Sequence, residues 1–167
     1  MVAPLVFISS TFLEFKDERE NLQRIITKVL PLACNLAETL TCETPNLEAH
    51  LKKNVDKADI VILLLGMRYG SLNGKISWTE EEVRYAHKLG KKILPYIKQQ
   101  KPPIQTVDSD QKMQNALDSF IKFVEKKISP SIPRFADVYD LIAMVTRDLV
   151  YELEKRNREA YQDSFTQ

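Results

Sequence analysis

The sequence predicts an α/β fold, a doubly wound parallel sheet of four to five strands in the order 2-1-3-4-5 with helices on both faces. Three observations carry that expectation. Short apolar runs alternate with stretches whose apolar residues repeat at helical intervals, the pattern of successive β-α-β units. One run, DIVILLL at Asp59–Leu65, is apolar on both faces and too short for a typical helix, which fits a central strand covered above and below. Three of the four glycines, Gly66, Gly70 and Gly74, follow that run at once. The loop at its carboxyl end is therefore free to adopt positive φ or to let a ligand approach the backbone.

In chain order, Leu5 to Ile8 is a β-branched, apolar run that stops at Ser9, Ser10 and Thr11, a buried strand ending in a polar loop. Thr11 and Glu14 have capping-box spacing, and Phe15, Leu22, Ile25, Ile26, Val29, Ala33, Leu36 and Leu40 repeat as one helix face, with Pro31 a kink or break. Leu40 to Thr44 supplies a short second strand. Pro45 then introduces a helix to about Lys57 with Leu47, Leu51 and Val55 on one stripe. Beyond the glycine loop a helix runs from about Trp78 to Leu89, closed by Gly90. Ile93 to Ile97 reads as the next buried strand, and Gln99 to Asp110 as a loop. Met113, Leu117, Phe120, Ile121 and Val124 mark a helix, Arg134 to Ala136 a last short strand, and Val138 through Leu153 an amphipathic helix that frays after about Arg158. One domain over residues 1–160 and a flexible polar tail at 161–167 are expected.

Bulk composition narrows the function. A chain of 167 residues suits one domain with a full core, and 44% hydrophobic with 28% charged residues is ordinary for globular proteins. The formal net charge of +1 gives no general electrostatic reason to expect nucleic acid or an anionic membrane as partner. Cys34 and Cys42 are too few for a disulfide scaffold and match no metal spacing, so two reduced thiols and a cytoplasmic protein are expected. The amino terminus lacks a basic leader region, and no apolar run approaches the ~18 residues of a membrane span.

One acid stands out. On a helical wheel of SWTEEEVRYAHKLG, Tyr85, Ala86 and Leu89 lie three, four and seven positions after Glu82, which places Glu82 in the apolar stripe. Glu80 is expected on the opposite face as an exposed pair with Arg84, and Glu81 on the flank near Lys88. A core-facing carboxylate is costly unless paired, but near the helix start it looks toward the strand ends, where doubly wound sheets bind ligands. Two capping registers compete. Thr79 with Glu82 would make Glu82 a structural partner of the cap, whereas Ser77 with Glu80 leaves it free. The order reverses between strands one and three, so Ser9 to Phe12 and Gly66 to Gly74 are expected to face each other across a crevice.

The segments VFISSTFLEFKDERE, GMRYGS and SWTEEEVRYAHKLGKKILPYI, in that order, resemble a TIR-like family of domains of unknown function often fused to STAND-type (NACHT) signalling ATPases. That family is similar to Toll/interleukin-1 receptor (TIR) domains and to nucleoside 2-deoxyribosyltransferases, and the resemblance covers Leu5 to Ile97. It implies a flavodoxin-like, TIR-like sheet and cleavage or transfer at an N-glycosidic bond, in TIR enzymes usually the nicotinamide–ribose bond of NAD. TIR enzymes carry a glutamate four residues after a tryptophan at the start of this helix, and the deoxyribosyltransferases one three residues after a threonine. Trp78 and Thr79 both point to Glu82.

On that resemblance Glu82 is the catalytic residue, as nucleophile or as electrostatic partner of an oxocarbenium-like sugar. Ser9, Ser10 and Thr11, beside Phe12, would hold phosphate or ribose, unless Thr11 simply caps its helix. Within the loop Gly66, Arg68, Tyr69, Gly70 and Ser71, the guanidinium would grip phosphate and the phenol stack on a base; the alternative is a salt bridge and a covering aromatic. Arg19 is expected to pair with an acid, and His50 and His87 to be surface or satisfied residues. NAD or a related nucleotide is then substrate, with no cofactor and no metal. A homo-oligomer or a separate effector or sensor protein is the expected partner, and the resemblance implies a role in antiphage defence signalling.

Overall fold

The computed structural model describes residues 4–30, 32–36, 47–99 and 110–163. Along the chain run β1 (Leu5–Ser10), α1 (Lys16–Lys28), β2 (Ala33–Leu36), α2 (Leu47–Lys57), β3 (Ile60–Leu65), β4 (Leu72–Asn73), β5 (Ile76–Ser77), α3 (Trp78–Lys88), β6 (Lys92–Lys98), α4 (Gln111–Lys127), β7 (Arg134–Phe135) and α5 (Val138–Asp163). The main sheet has the order β2-β1-β3-β6-β7, and each of its pairings is parallel. With the small antiparallel β4–β5 hairpin set aside, this is the expected 2-1-3-4-5 arrangement.

Alternation along β3 explains why both faces need helices. All six of its residues are buried. Ile60, Ile62 and Leu64 join Val6, Ile8 and Tyr96 against Leu22 and Ile26 of α1 and Leu141, Val145 and Leu149 of α5. Val61, Leu63 and Leu65 join Phe7 against Val55 of α2, Val83 and Ala86 of α3, and Leu117, Phe120 and Val124 of α4. Buried acids fasten the helices to the strand beside β3. Glu18 on α1 pairs with Lys98, and Glu152 on α5 pairs with Lys92, both at 2.6 Å.

Several boundaries differ from expectation for physical reasons. Thr11 and Glu14 do not form a capping box: α1 starts later, with Phe15 at its N-cap and no side-chain cap. The helix ends at Lys28, so Ala33 and Leu36, expected on its apolar face, belong instead to β2, paired with Leu5 and Ile8. Apolar spacing over four residues cannot separate a short strand from a helix turn. The second strand expected at Leu40–Thr44 and the break expected at Pro31 lie outside the described residues. At the other end α5 continues to Asp163, past the expected fraying point, and is exposed from Asn157 through Gln162. No described helix is long and apolar enough to cross a membrane.

Candidate active site

The carboxyl ends of β1 and β3 converge on the first turn of α3. Ser77 caps that helix, its Oγ accepting from the Glu80 amide at 3.1 Å, and Gly90 follows its end at φ 67°. The Ser77–Glu80 register therefore wins, and Glu82 has no capping duty.

Glu82 points inward and is 7% exposed. Ser9, fully buried in β1, donates its hydroxyl to Glu82 Oε2 at 2.5 Å. Among the described residues that hydroxyl is the one hydrogen-bond partner of the acid. Burial pushes the Glu82 carboxyl up to about 7, opposed by the Ser9 hydroxyl and the positive charge of Arg19, while the charge of Glu81 adds to the rise. Arg19 is itself buried, donates from Nη1 to Ser10 Oγ at 3.3 Å, and lies 5.7 Å from the ring of Phe12. The charge of Arg19 thus acts on the candidate catalytic residue, a link that spacing within α1 could not reveal.

A small pocket opens between α2 and α3. Leu51, Lys52 and Val55 form one wall, Trp78, Glu81, Glu82 and Tyr85 the other. Its enclosed space, about 10 Å³, holds about one water molecule. Tyr85 is fixed as a wall by its hydroxyl, which donates to Asp56 at 2.7 Å, and by the Lys52 ammonium 5.8 Å from its ring.

The two loops expected to face each other are bridged by the chain's own side chains. Glu14 Oε1 accepts from the Met67 amide at 2.7 Å and Oε2 from the Arg68 amide at 3.1 Å, with Thr11 Oγ1 at 3.3 Å. A Cβ on Gly66 would meet Glu14 Oε1 at 2.2 Å. Gly70, at φ 90°, admits Thr11, whose Cγ2 would lie 2.9 Å from a Cβ there. The glycines thus serve a close approach, as expected, but of the protein's own side chains. Tyr69 is buried and donates to Glu80 Oε2 at 2.5 Å, which fits the covering role of the two expected for it. Arg68 is half-buried, Ser71 is exposed and its carbonyl accepts from the Trp78 amide, and Phe12 is 47% exposed. Of the eleven expected site residues, only Glu82 and Trp78 line the pocket, and Ser9 reaches it through Glu82.

Two neighbours of Glu82 also depart from the helical wheel. Glu80 is buried, accepting from Tyr69 and from Arg84 Nε at 2.7 Å, with Arg84 Nη2 at 2.6 Å. Glu81 accepts from Asn73 Nδ2 at 2.5 Å and lies 3.9 Å from Lys52, with neither bond involving Lys88. The wheel counts only faces of one helix, whereas the β4–β5 hairpin folds back over this one. His87 is exposed with its ring edge-on to Phe123, and the His50 side chain lies outside the described residues.

Fold and site define a doubly wound α/β domain with a dry, singly bonded acid at the edge of an aromatic-walled pocket. Residues 5–150 match DUF4062, a domain of unknown function, and the chain belongs to that family. Among solved structures it is similar to the TIR domains of the activated Roq1 resistosome that directly recognises the pathogen effector XopQ. That match has 11% identity and a TM-score of 0.59 over 88% of this chain and 99% of the other. It is also similar to the CMP N-glycosidase BcmB of Clostridium botulinum, at 12% identity and a TM-score of 0.54 over 85% of this chain and 98% of that one. Such identities show a shared fold. No match was found among curated proteins.

Proposed function

We propose that the protein is an enzyme that cleaves the N-glycosidic bond of a nucleotide, the nicotinamide–ribose bond of NAD, by hydrolysis or cyclisation, with Glu82 as its catalytic carboxylate. One observation carries the reading: Glu82 lies dry at a pocket wall with a lone side-chain hydroxyl as its partner. Glu80, two residues earlier and equally buried, accepts instead from both Tyr69 and Arg84.

The chemistry suits that geometry. Nicotinamide leaves a cationic pyridinium as a neutral molecule, so no acid need protonate it, and an oxocarbenium-like ribose remains that a carboxylate stabilises or traps. Ser9 orients the carboxylate, and the Arg19 charge favours its ionised form. Trp78 and Tyr85 offer flat walls for a planar base. The sequence resemblance and the fold shared with TIR domains support this reading. The sequence resemblance also supports a place in antiphage defence signalling, with a homo-oligomer or a separate effector or sensor protein as partner, and the two thiols support a cytoplasmic one.

A second reading has its own support. A carboxyl with a midpoint of about 7 is protonated in a large share of molecules at neutral pH and can protonate a base that would otherwise leave as an anion, as cleavage of an uncharged nucleoside requires. A CMP N-glycosidase shares the fold. Incubation with NAD and with a panel of nucleotides and deoxynucleosides, resolved by chromatography and mass spectrometry, decides between them. Nicotinamide release is expected; release of a purine or pyrimidine base with NAD intact favours the second reading. Glu82→Gln nearly keeps the shape and should lower turnover by about 10²–10⁴-fold. An unchanged rate overturns both readings and leaves a non-catalytic scaffold.

A further inference from the structure

The pocket contains another acid. Glu81 precedes Glu82 on α3 and lines the same pocket, its side chain 24% exposed. Successive helical residues project about 100° apart, so when Glu82 points at the sheet, Glu81 turns to the mouth. Two elements hold it there from opposite sides. The Asn73 amide on the β4–β5 hairpin donates to Oε2 at 2.5 Å, and the Lys52 ammonium on α2 stands 3.9 Å from Oε1. An amide donor and a half-solvated cation compensate a carboxylate's charge without removing it from water, the opposite of what happens at Glu82.

Resting on the N-glycosidic reading, we propose that Glu81 is the base that takes the proton of the attacking water, with Asn73 as its positioning residue. In that step the bond between the anomeric carbon and the base nitrogen breaks, and its electron pair leaves with the nitrogen. Glu82 stabilises the cationic sugar, the water oxygen bonds to the anomeric carbon, and the water proton passes to Glu81 and then to solvent. A free pyridine base attacking the same sugar has no proton to give up and so bypasses Glu81.

That difference supplies the test. The full chain is incubated with NAD and an excess of free 3-acetylpyridine, with CMP assayed in parallel, and hydrolysed and base-exchanged products are counted separately. Glu81→Gln should lower hydrolysis of NAD by roughly 100-fold while exchange stays within about threefold and KM changes little. Asn73→Ala should shift the ratio in the same direction by about tenfold. An unchanged ratio of hydrolysis to exchange, or a parallel loss of both, overturns the role of Glu81 alone. No base release from NAD or CMP by the unaltered chain, or full activity of Glu82→Gln, overturns the underlying reading and this one together.

Discussion

Glu80 and Glu82 share one turn of α3 and are equally hidden, yet their surroundings set them apart. Tyr69 and Arg84 surround the first with donors, while the second has Ser9. The folded Glu82 carboxyl sits near 7, above the ordinary 4.5, so the native state holds a proton that the unfolded chain has released between those values. Stability from this group is therefore full below 4.5 and lost as pH rises through 7. Glu82→Gln keeps an acceptor for Ser9 and avoids the buried charge. Thermal melts should show the variant more stable at pH 8, by up to about 3 kcal/mol, with the gap closing toward pH 5. The same midpoint sets the rate profile. With NAD, turnover should rise through about pH 7 as the carboxylate forms, whereas a base that must be protonated to leave would make it fall.

At the scale of elements, the loops after β1 and β3 are fastened by Glu14. Gly66→Ala would drive a methyl group into that carboxylate and break both of its amide bonds, so a loss of about 2–3 kcal/mol is expected in denaturant unfolding. Adding Glu14→Ala should cost much less than the sum of the two single changes, because the same contact is lost twice. This latch also marks where sequence reading reached its limit. Strands β1, β3 and β6 and helices α3 and α4 were legible because their apolar runs are long or strongly periodic. Glu82 was legible because its place on the wheel contradicts its charge. The latch, the burial of Glu80 and Tyr69, and the roles of Asn73, Lys52 and Arg19 join residues on different elements, and no local period records such pairings. Thr11 and Glu14 illustrate the point: their spacing satisfies a capping box, but two loop amides more than fifty residues away compete for the same carboxylate and win.

Across the whole molecule, β3 is the shared wall of two cores, with one set of alternate residues in each. Leu63→Ala, fully buried between β1 and β6, should cost about 2–5 kcal/mol in urea unfolding. The topology needed only the alternation of elements and the right-handed crossover rule, which is why the strand order was foreseeable while the contents of the crevice were not. One feature at this scale bears on experiment. The 26 residues of α5 extend roughly 39 Å, and the last turns stand clear of the sheet. A spin label or fluorophore at Tyr161 would sit on the last turn of this helix, giving spectroscopists a ruler for how two such domains approach each other.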